Sequence, residues 1–107
     1  MTKLMVKHLW VGLVGATQRP GVKILGNCKG GYATVVASAS GSRAFRNRVR
    51  KALDELGLDL IELDDVKVLT GGGARFRSDE ELRQMARTVR EIDSVAFGTF
   101  YVFTAFE

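Results

Sequence analysis

The spacing of apolar residues along the chain predicts two amphipathic helices. In the segment SGSRAFRNRVRKALDELG, residues 40–57, Phe45, Val49 and Leu53 recur every four positions, which places them on one face of a helix. Gly57 is suited to end this helix because glycine readily adopts the left-handed conformation that follows a helix C-terminus. A second helix is predicted from a similar stripe, formed by Leu82, Met85, Ala86, Val89 and Ile92.

Shorter apolar runs predict β-strands around these helices. The runs are residues 4–14, 22–25, 32–40, 58–70 and 94–107. Their order with the helices, β-(β)-β-α-β-α-β, predicts a two-layer α+β sandwich of ferredoxin-like architecture. We expect a mainly antiparallel or mixed sheet of four to five strands with both helices on one face. A chain of 107 residues fits a single domain.

The C-terminal run, SVAFGTFYVFTAFE, is apolar on both sides when it is read as a strand. Phe97, Tyr101 and Phe103 then point to one side, and Phe100 and Val102 point to the other. Two helices on a single sheet face leave the second face of such a strand uncovered. We therefore expect a homodimer in which Phe97, Tyr101 and Phe103, or the residues on the reverse side, are buried between subunits.

The charged residues are divided unevenly between the two halves of the chain. Residues 1–53 contain ten lysines and arginines and no acid, whereas residues 54–107 contain all twelve acids and six basic residues. The net charge of +4 for the whole chain does not show that the two halves carry charges of opposite sign. Such a division indicates an anionic partner or self-association, unless the two halves neutralise each other within the fold.

The first predicted helix carries its charges against its own dipole. Its N-terminal half is basic, although a helix N-terminus is already partly positive. The segment before it supplies hydroxyl groups as candidate caps, a glycine for close approach and no acid. We therefore predict an anion- or partner-binding site formed by Ser40, Gly41, Ser42, Arg43, Arg46, Arg50 and Lys51. The alternative is that these arginines pair with the acids of residues 59–65 or with the second helix.

A glycine-rich segment precedes the second helix. Three consecutive glycines, residues 71–73, predict a flexible connection in which Arg75 and Arg77 are available to a partner. The segment lacks the spacing of the glycine-rich nucleotide-binding motifs, and no cofactor is predicted. Ser78 and Glu81 have the spacing of a capping box and predict the start of the helix.

Residues suited to catalysis are few. His8 and Cys28 are each the only residue of their type, so a catalytic triad or a zinc site of the usual spacing lacks members. We interpret His8 as a strand residue beside Trp10, and Cys28 as an inert thiol. The acidic run of residues 59–65 is interpreted as a solvated face, and no metal site is predicted.

Together these patterns favour a small non-catalytic binding protein that docks onto a macromolecule, in the first place a protein, through its basic half and its sheet face. One alternative is a protein that binds the backbone of RNA or DNA. A second is a small enzyme that uses His8 or the acidic run. No segment approaches the ~20 apolar residues of a membrane span, so we expect a cytoplasmic protein without a membrane partner.

Overall fold

The structure, a computed structural model, describes residues 7–69 and 79–103, which form one sheet with two helices packed on it. The elements in chain order are β1 (His8–Gln18), β2 (Gly30–Ala39), α1 (Ser42–Glu55), β3 (Leu58–Val68), α2 (Glu80–Ile92), β4 (Ala96–Phe97) and β5 (Tyr101–Phe103). The strand order is β3-β1-β2-β4, β5 also pairs with β2, and every pairing is antiparallel. The predicted α+β fold with an antiparallel sheet and two helices is confirmed for the described residues.

Helix α1 packs against one side of the sheet, which we call the α1 face. Its Phe45, Val49 and Leu53 are fully buried and contact strand residues that point the same way, such as Val14 of β1 and Val35 of β2. Burying one such side chain stabilises the fold by about 1.5–3 kcal/mol. The cluster also contains Ala16, Ala33, Ala37, Ala39 and Leu58. This cluster is the larger of the two apolar cores.

Helix α2 packs against the opposite side, which we call the α2 face. Val11 pairs with Val36 in the β1–β2 ladder, and both belong to a second buried cluster with Leu82 and Met85 of α2. Successive strand residues point to opposite sides, so Val36 faces away from the side on which Val35 meets α1. The apolar pattern predicts both helices on one face, whereas the structure places α1 on one side and α2 on the other. β2 is apolar at consecutive positions, so apolar side chains on both faces need to be covered.

The C-terminal run is broken into two short strands. Phe97 pairs with Val35, and Tyr101 pairs with Tyr32. The C-terminal segment therefore has three residues between these two pairs, one more than the two residues of β2 that separate Tyr32 from Val35. One extra residue reverses the sides to which the following side chains point. Phe97 therefore lies on the α1 face, while Tyr101 and Phe103 lie on the α2 face, and the three do not share a side as predicted.

Two further strand predictions need correction. The predicted strand at residues 22–25 is a pair of tight turns, closed by backbone hydrogen bonds from Val22 to Arg19 and from Gly26 to Lys23. Glycines with positive φ at these turns, such as Gly26 at 78°, favour the change of direction. β1 continues past its predicted end at residue 14, as far as Gln18.

Helix α2 begins after Asp79, whose carboxylate accepts a hydrogen bond from the backbone N–H of Leu82 at 3.0 Å. Ser78, the predicted cap, lies outside the described residues. The carboxylate of Glu81 instead accepts hydrogen bonds from the backbone N–H and the hydroxyl of Thr99, at 3.0 and 2.7 Å. These contacts connect α2 to the segment after β4. Neither described helix is long and apolar enough to cross a membrane.

Candidate anion-binding site

The N-terminus of α1 has no side-chain cap among the described residues. Gly41 is the N-cap residue; its backbone is extended, and its carbonyl accepts a hydrogen bond from the N–H of Phe45 at 3.0 Å. Ser42 is already the first helical residue and Ser40 precedes the cap, so neither serine has the capping role predicted for it. The first turn also contains no acid, which leaves its backbone N–H groups open to an outside anion.

Four basic residues follow one another along the solvent-facing side of α1. Arg43, Arg46, Arg50 and Lys51 lie at positions i, i+3, i+7 and i+8, which share one side of a helix. At Arg46 this side adjoins the buried side, because Leu53 lies seven positions, or nearly two turns, further along the helix. All four basic residues are exposed. We call Arg43, Arg46, Arg50 and Lys51 the basic stripe.

The described part of the fold does not neutralise the basic stripe. No carboxylate of the described residues lies within the 4.0 Å of an ion pair with any of its members. Arg50 Nη2 donates a weak hydrogen bond of 3.3 Å to the side-chain oxygen of Asn47. Arg43, in the first turn of α1, therefore adds positive charge to the positive end of the helix dipole, an arrangement that destabilises the helix.

Arg48, in the same helix, has a structural role instead. Its guanidinium is half-buried and donates hydrogen bonds to the carbonyl of Ser38 at 2.8 Å, to the carbonyl of Asp93 at 2.9 Å and to the Asp93 carboxylate at 3.1 Å. These contacts join α1 to the C-terminal end of α2 at the edge of β2. The hydrogen bond from Arg48 and then its charge lower the pKa of the Asp93 carboxyl.

An open depression of about 720 Å³ lies between α1 and β3. At one end Arg19 donates to the carboxylates of Asp54 and Asp59, at 2.5 and 2.9 Å. These two hydrogen bonds, to Asp54 first, raise the pKa of the Arg19 guanidinium, whose single charge balances one of the two carboxylates. The depression is lined by Arg19, Arg46, Asn47, Arg50, Lys51, Asp54, Leu58, Asp59 and Leu60. Sequence reasoning missed Arg19 because its partners lie 35 and 40 positions further along the chain.

The other predicted site residues do not gather at the basic stripe. Arg75 and Arg77 lie outside the described residues. Phe97 is half-buried against the core of its own chain on the α1 face. On the α2 face Phe103 is half-buried and Tyr101 is 74% exposed. Tyr101 is thus the most accessible of the three residues predicted to form a subunit interface.

The residues considered for catalysis lie elsewhere. His8 is exposed at the start of β1, Cys28 is half-buried, and neither lines the depression. Glu62 and Asp64 project from the same face of β3, and the described residues contain no group of three side chains that could hold a metal ion. The acids of β3 lie on an edge strand, where charge discourages pairing with another sheet.

Comparison of the chain with known proteins finds no matching family model, no matching curated protein and no matching solved structure. No residue role is therefore carried over from a relative.

Proposed function

We propose that this protein is a non-catalytic nucleic-acid-binding protein whose basic stripe docks on the phosphate backbone. The observation that carries the proposal is the exposure of four basic side chains on one side of α1 without a carboxylate partner among the described residues. Lysine and arginine side chains that neutralise phosphates supply binding that does not depend on base sequence. The uncapped N–H groups at the start of α1 extend the same positive surface.

The surroundings of the basic stripe suit phosphates, which require no apolar anchor. Protein interfaces gain most of their affinity from aromatic or aliphatic anchors that are buried on binding. The apolar residues beside the stripe, Leu58 and Leu60, are already buried and half-buried within the chain. A phosphate backbone requires charge and hydrogen-bond donors, and the planar guanidinium of arginine fits phosphate oxygens with two donors at once.

The length of the basic stripe sets the expected number of phosphate contacts. From Arg43 to Lys51 the helix rises about 12 Å, at ~1.5 Å per residue. A strand of B-form DNA winds around its axis, so a straight stripe of this length meets at most as many phosphates as it has basic side chains, which is four. Four contacts predict that log Kobs falls with log salt concentration at a slope of about −3.6.

The test is the affinity for a fluorescently labelled DNA duplex, measured by anisotropy over a series of salt concentrations. The double variant Arg46→Gln with Arg50→Gln removes the centre of the basic stripe. The matched control is Arg87→Gln with Arg90→Gln, which removes two exposed arginines from α2, where acids such as Glu80 lie among the basic residues.

The proposal predicts that the stripe variant binds more weakly and that its slope is shallower by about 1.8, because two phosphate contacts are lost. The control variant is expected to bind like the wild type. Absence of duplex binding by the wild type at low salt would refute the proposal. An equal loss in both variants would also refute it, because binding would then follow net charge and not the stripe.

A further inference from the structure

Helix α2 covers only part of the α2 face. It packs on Val11 and Val36, and strand residues towards the other end of the sheet stay exposed on this side. Leu13 is 40% exposed, Tyr32 is 38% exposed and Tyr101 is 74% exposed. The described residues therefore present an open surface of apolar and aromatic side chains beside α2.

Two acids of β3 border this surface. Glu62 pairs with Gly15 and Asp64 pairs with Leu13 in the β1–β3 ladder, so both carboxylates lie on the α2 face. A Cβ on Gly15 would lie 2.7 Å from the ring of Tyr32 and 3.2 Å from the side chain of Glu62, which shows that Tyr32 crosses β1 above this glycine. We call the whole surface the acidic patch; it consists of Leu13, Tyr32, Glu62, Asp64 and Tyr101.

The carboxylates of the acidic patch have no ion-pair partner among the described residues. Lys67 lies on the same strand, yet it forms no ion pair with Glu62 or Asp64. The Glu62 carboxylate accepts a hydrogen bond from the Tyr32 hydroxyl, but no cation of the described residues forms an ion pair with Glu62 or Asp64, so the patch presents net negative charge. By contrast, Arg19 and Arg48 have acidic partners within their own chain.

The basic stripe and the acidic patch lie on opposite sides of the sheet. The stripe belongs to α1, which covers the α1 face, and the patch lies on the α2 face. Because the sheet separates the two surfaces within one molecule, they can neutralise each other only between molecules. Tyrosine rings beside the carboxylates add a second attraction for guanidinium groups, through the cation–π interaction.

We propose that the acidic patch is a docking surface for the basic stripe of a second copy of this chain, which gives head-to-tail association. A two-fold dimer through the patch is disfavoured, because it would place Glu62 and Asp64 of one subunit against the same acids of the other. In a head-to-tail contact each molecule keeps one free stripe and one free patch. Association is therefore open-ended, depends on concentration and weakens with salt. It does not require nucleic acid, although a bound phosphate backbone would compete for the basic stripe.

Two variants, each blocked at one surface, test this arrangement. The stripe-blocked variant carries Arg46→Gln and Arg50→Gln, and the patch-blocked variant carries Glu62→Gln and Asp64→Gln. Sedimentation velocity at low salt and high micromolar concentration measures the mass of the wild type, of each variant and of their equimolar mixture. Circular dichroism of each variant verifies that it is folded.

The proposal predicts that the wild type forms a series of oligomers, that each variant alone is a monomer, and that the mixture forms a 1:1 complex that grows no further. The complex forms because the stripe-blocked chain supplies an intact patch and the patch-blocked chain an intact stripe. A monomeric wild type, self-association of either variant, or a mixture without a complex would overturn it. The patch-blocked variant should still bind duplex DNA like the wild type, so failure here is distinguishable from failure of the proposed nucleic-acid binding.

Discussion

Replacing Arg43, Arg46 and Arg50 together with glutamine should stabilise the fold, although the change removes three charged side chains. None of the three has an acidic partner among the described residues, so no ion pair is lost. Glutamine and arginine have similar helix propensities, and glutamine keeps a polar side chain on the exposed side of α1. The change therefore isolates the electrostatic cost of the basic stripe.

The size of the effect follows from the positions of the three arginines. Arg43 lies in the first turn of α1, where a positive charge opposes the helix dipole by about 0.3–1 kcal/mol. Arg43 with Arg46, and Arg46 with Arg50, are like-charged pairs at i,i+3 and i,i+4, and each pair costs about 0.2–0.5 kcal/mol. Together these costs amount to about 0.7–2 kcal/mol, which is the expected gain in the free energy of unfolding of the triple variant. For a domain of this size each kcal/mol raises Tm by roughly 4–8 °C.

The assay is thermal unfolding followed by circular dichroism at low salt and at ~1 M salt, where the Debye length falls to ~3 Å. We expect the triple variant to unfold at a higher temperature than the wild type at low salt, and the difference to shrink at high salt. Arg48→Gln is the matched control in the same helix. It loses three hydrogen bonds that join α1 to Ser38 and Asp93, so its Tm should fall at both salt concentrations.

A fall of several degrees in the triple variant at low salt would refute this reasoning. It would show that Arg43, Arg46 and Arg50 stabilise the fold through partners, and the main support for the proposed function would be lost.

Three further predictions test the fold around the site. Phe45→Ala empties a fully buried position beside Trp10 and should lower the free energy of unfolding by about 3–5 kcal/mol. Urea denaturation monitored by Trp10 fluorescence measures this loss, and an unchanged midpoint would contradict the described core. Gly30→Ala places a Cβ 2.1 Å from the carbonyl oxygen of Ala16, so the β1–β2 ladder must shift. We expect the free energy of unfolding to fall by about 1–3 kcal/mol in the same assay, and an unchanged value would contradict this close approach. Arg48 lowers the pKa of Asp93 in the folded state, so its carboxylate contributes stability above its ordinary pKa of 3.8, and this contribution is lost as the pH falls below that value. In the Asp93→Asn variant, Tm should therefore fall less steeply than in the wild type as the pH decreases below about 4. The same decrease of Tm with pH in both proteins would exclude this ion pair.

The sequence predicts the helices better than the strands. Phe45, Val49, Ala52 and Leu53 lie at i, i+4, i+7 and i+8, a spacing that a helix places on one side and a strand divides between two sides, so the position of α1 follows from the apolar pattern. The cap does not follow from the pattern, because Ser40, Gly41 and Ser42 are all acceptable cap residues. Which of them becomes the cap depends on the residue at which the helical backbone begins.

The division of the helices between the two faces follows from long-range pairing that a local pattern does not contain. Val35 and Val36 are both fully buried, and a run of small apolar residues does not indicate which helix covers which side. The side on which Tyr101 lies depends on one extra residue between β4 and β5. If the segment is read as one continuous strand, its side chains alternate without interruption, and the extra residue is not detected. The exposure of Arg43, Arg46, Arg50 and Lys51 on one side of α1 does follow from the sequence, because their spacing keeps all four off the apolar positions.

An NMR titration of the ¹⁵N-labelled protein with a short DNA duplex tests directly whether the basic stripe is the binding surface. We expect the amide chemical-shift changes to concentrate on residues 41–51, in the N-cap and first part of α1, and to disappear as salt is added. Shift changes centred on α2, or no shift changes at low salt, would contradict this binding surface.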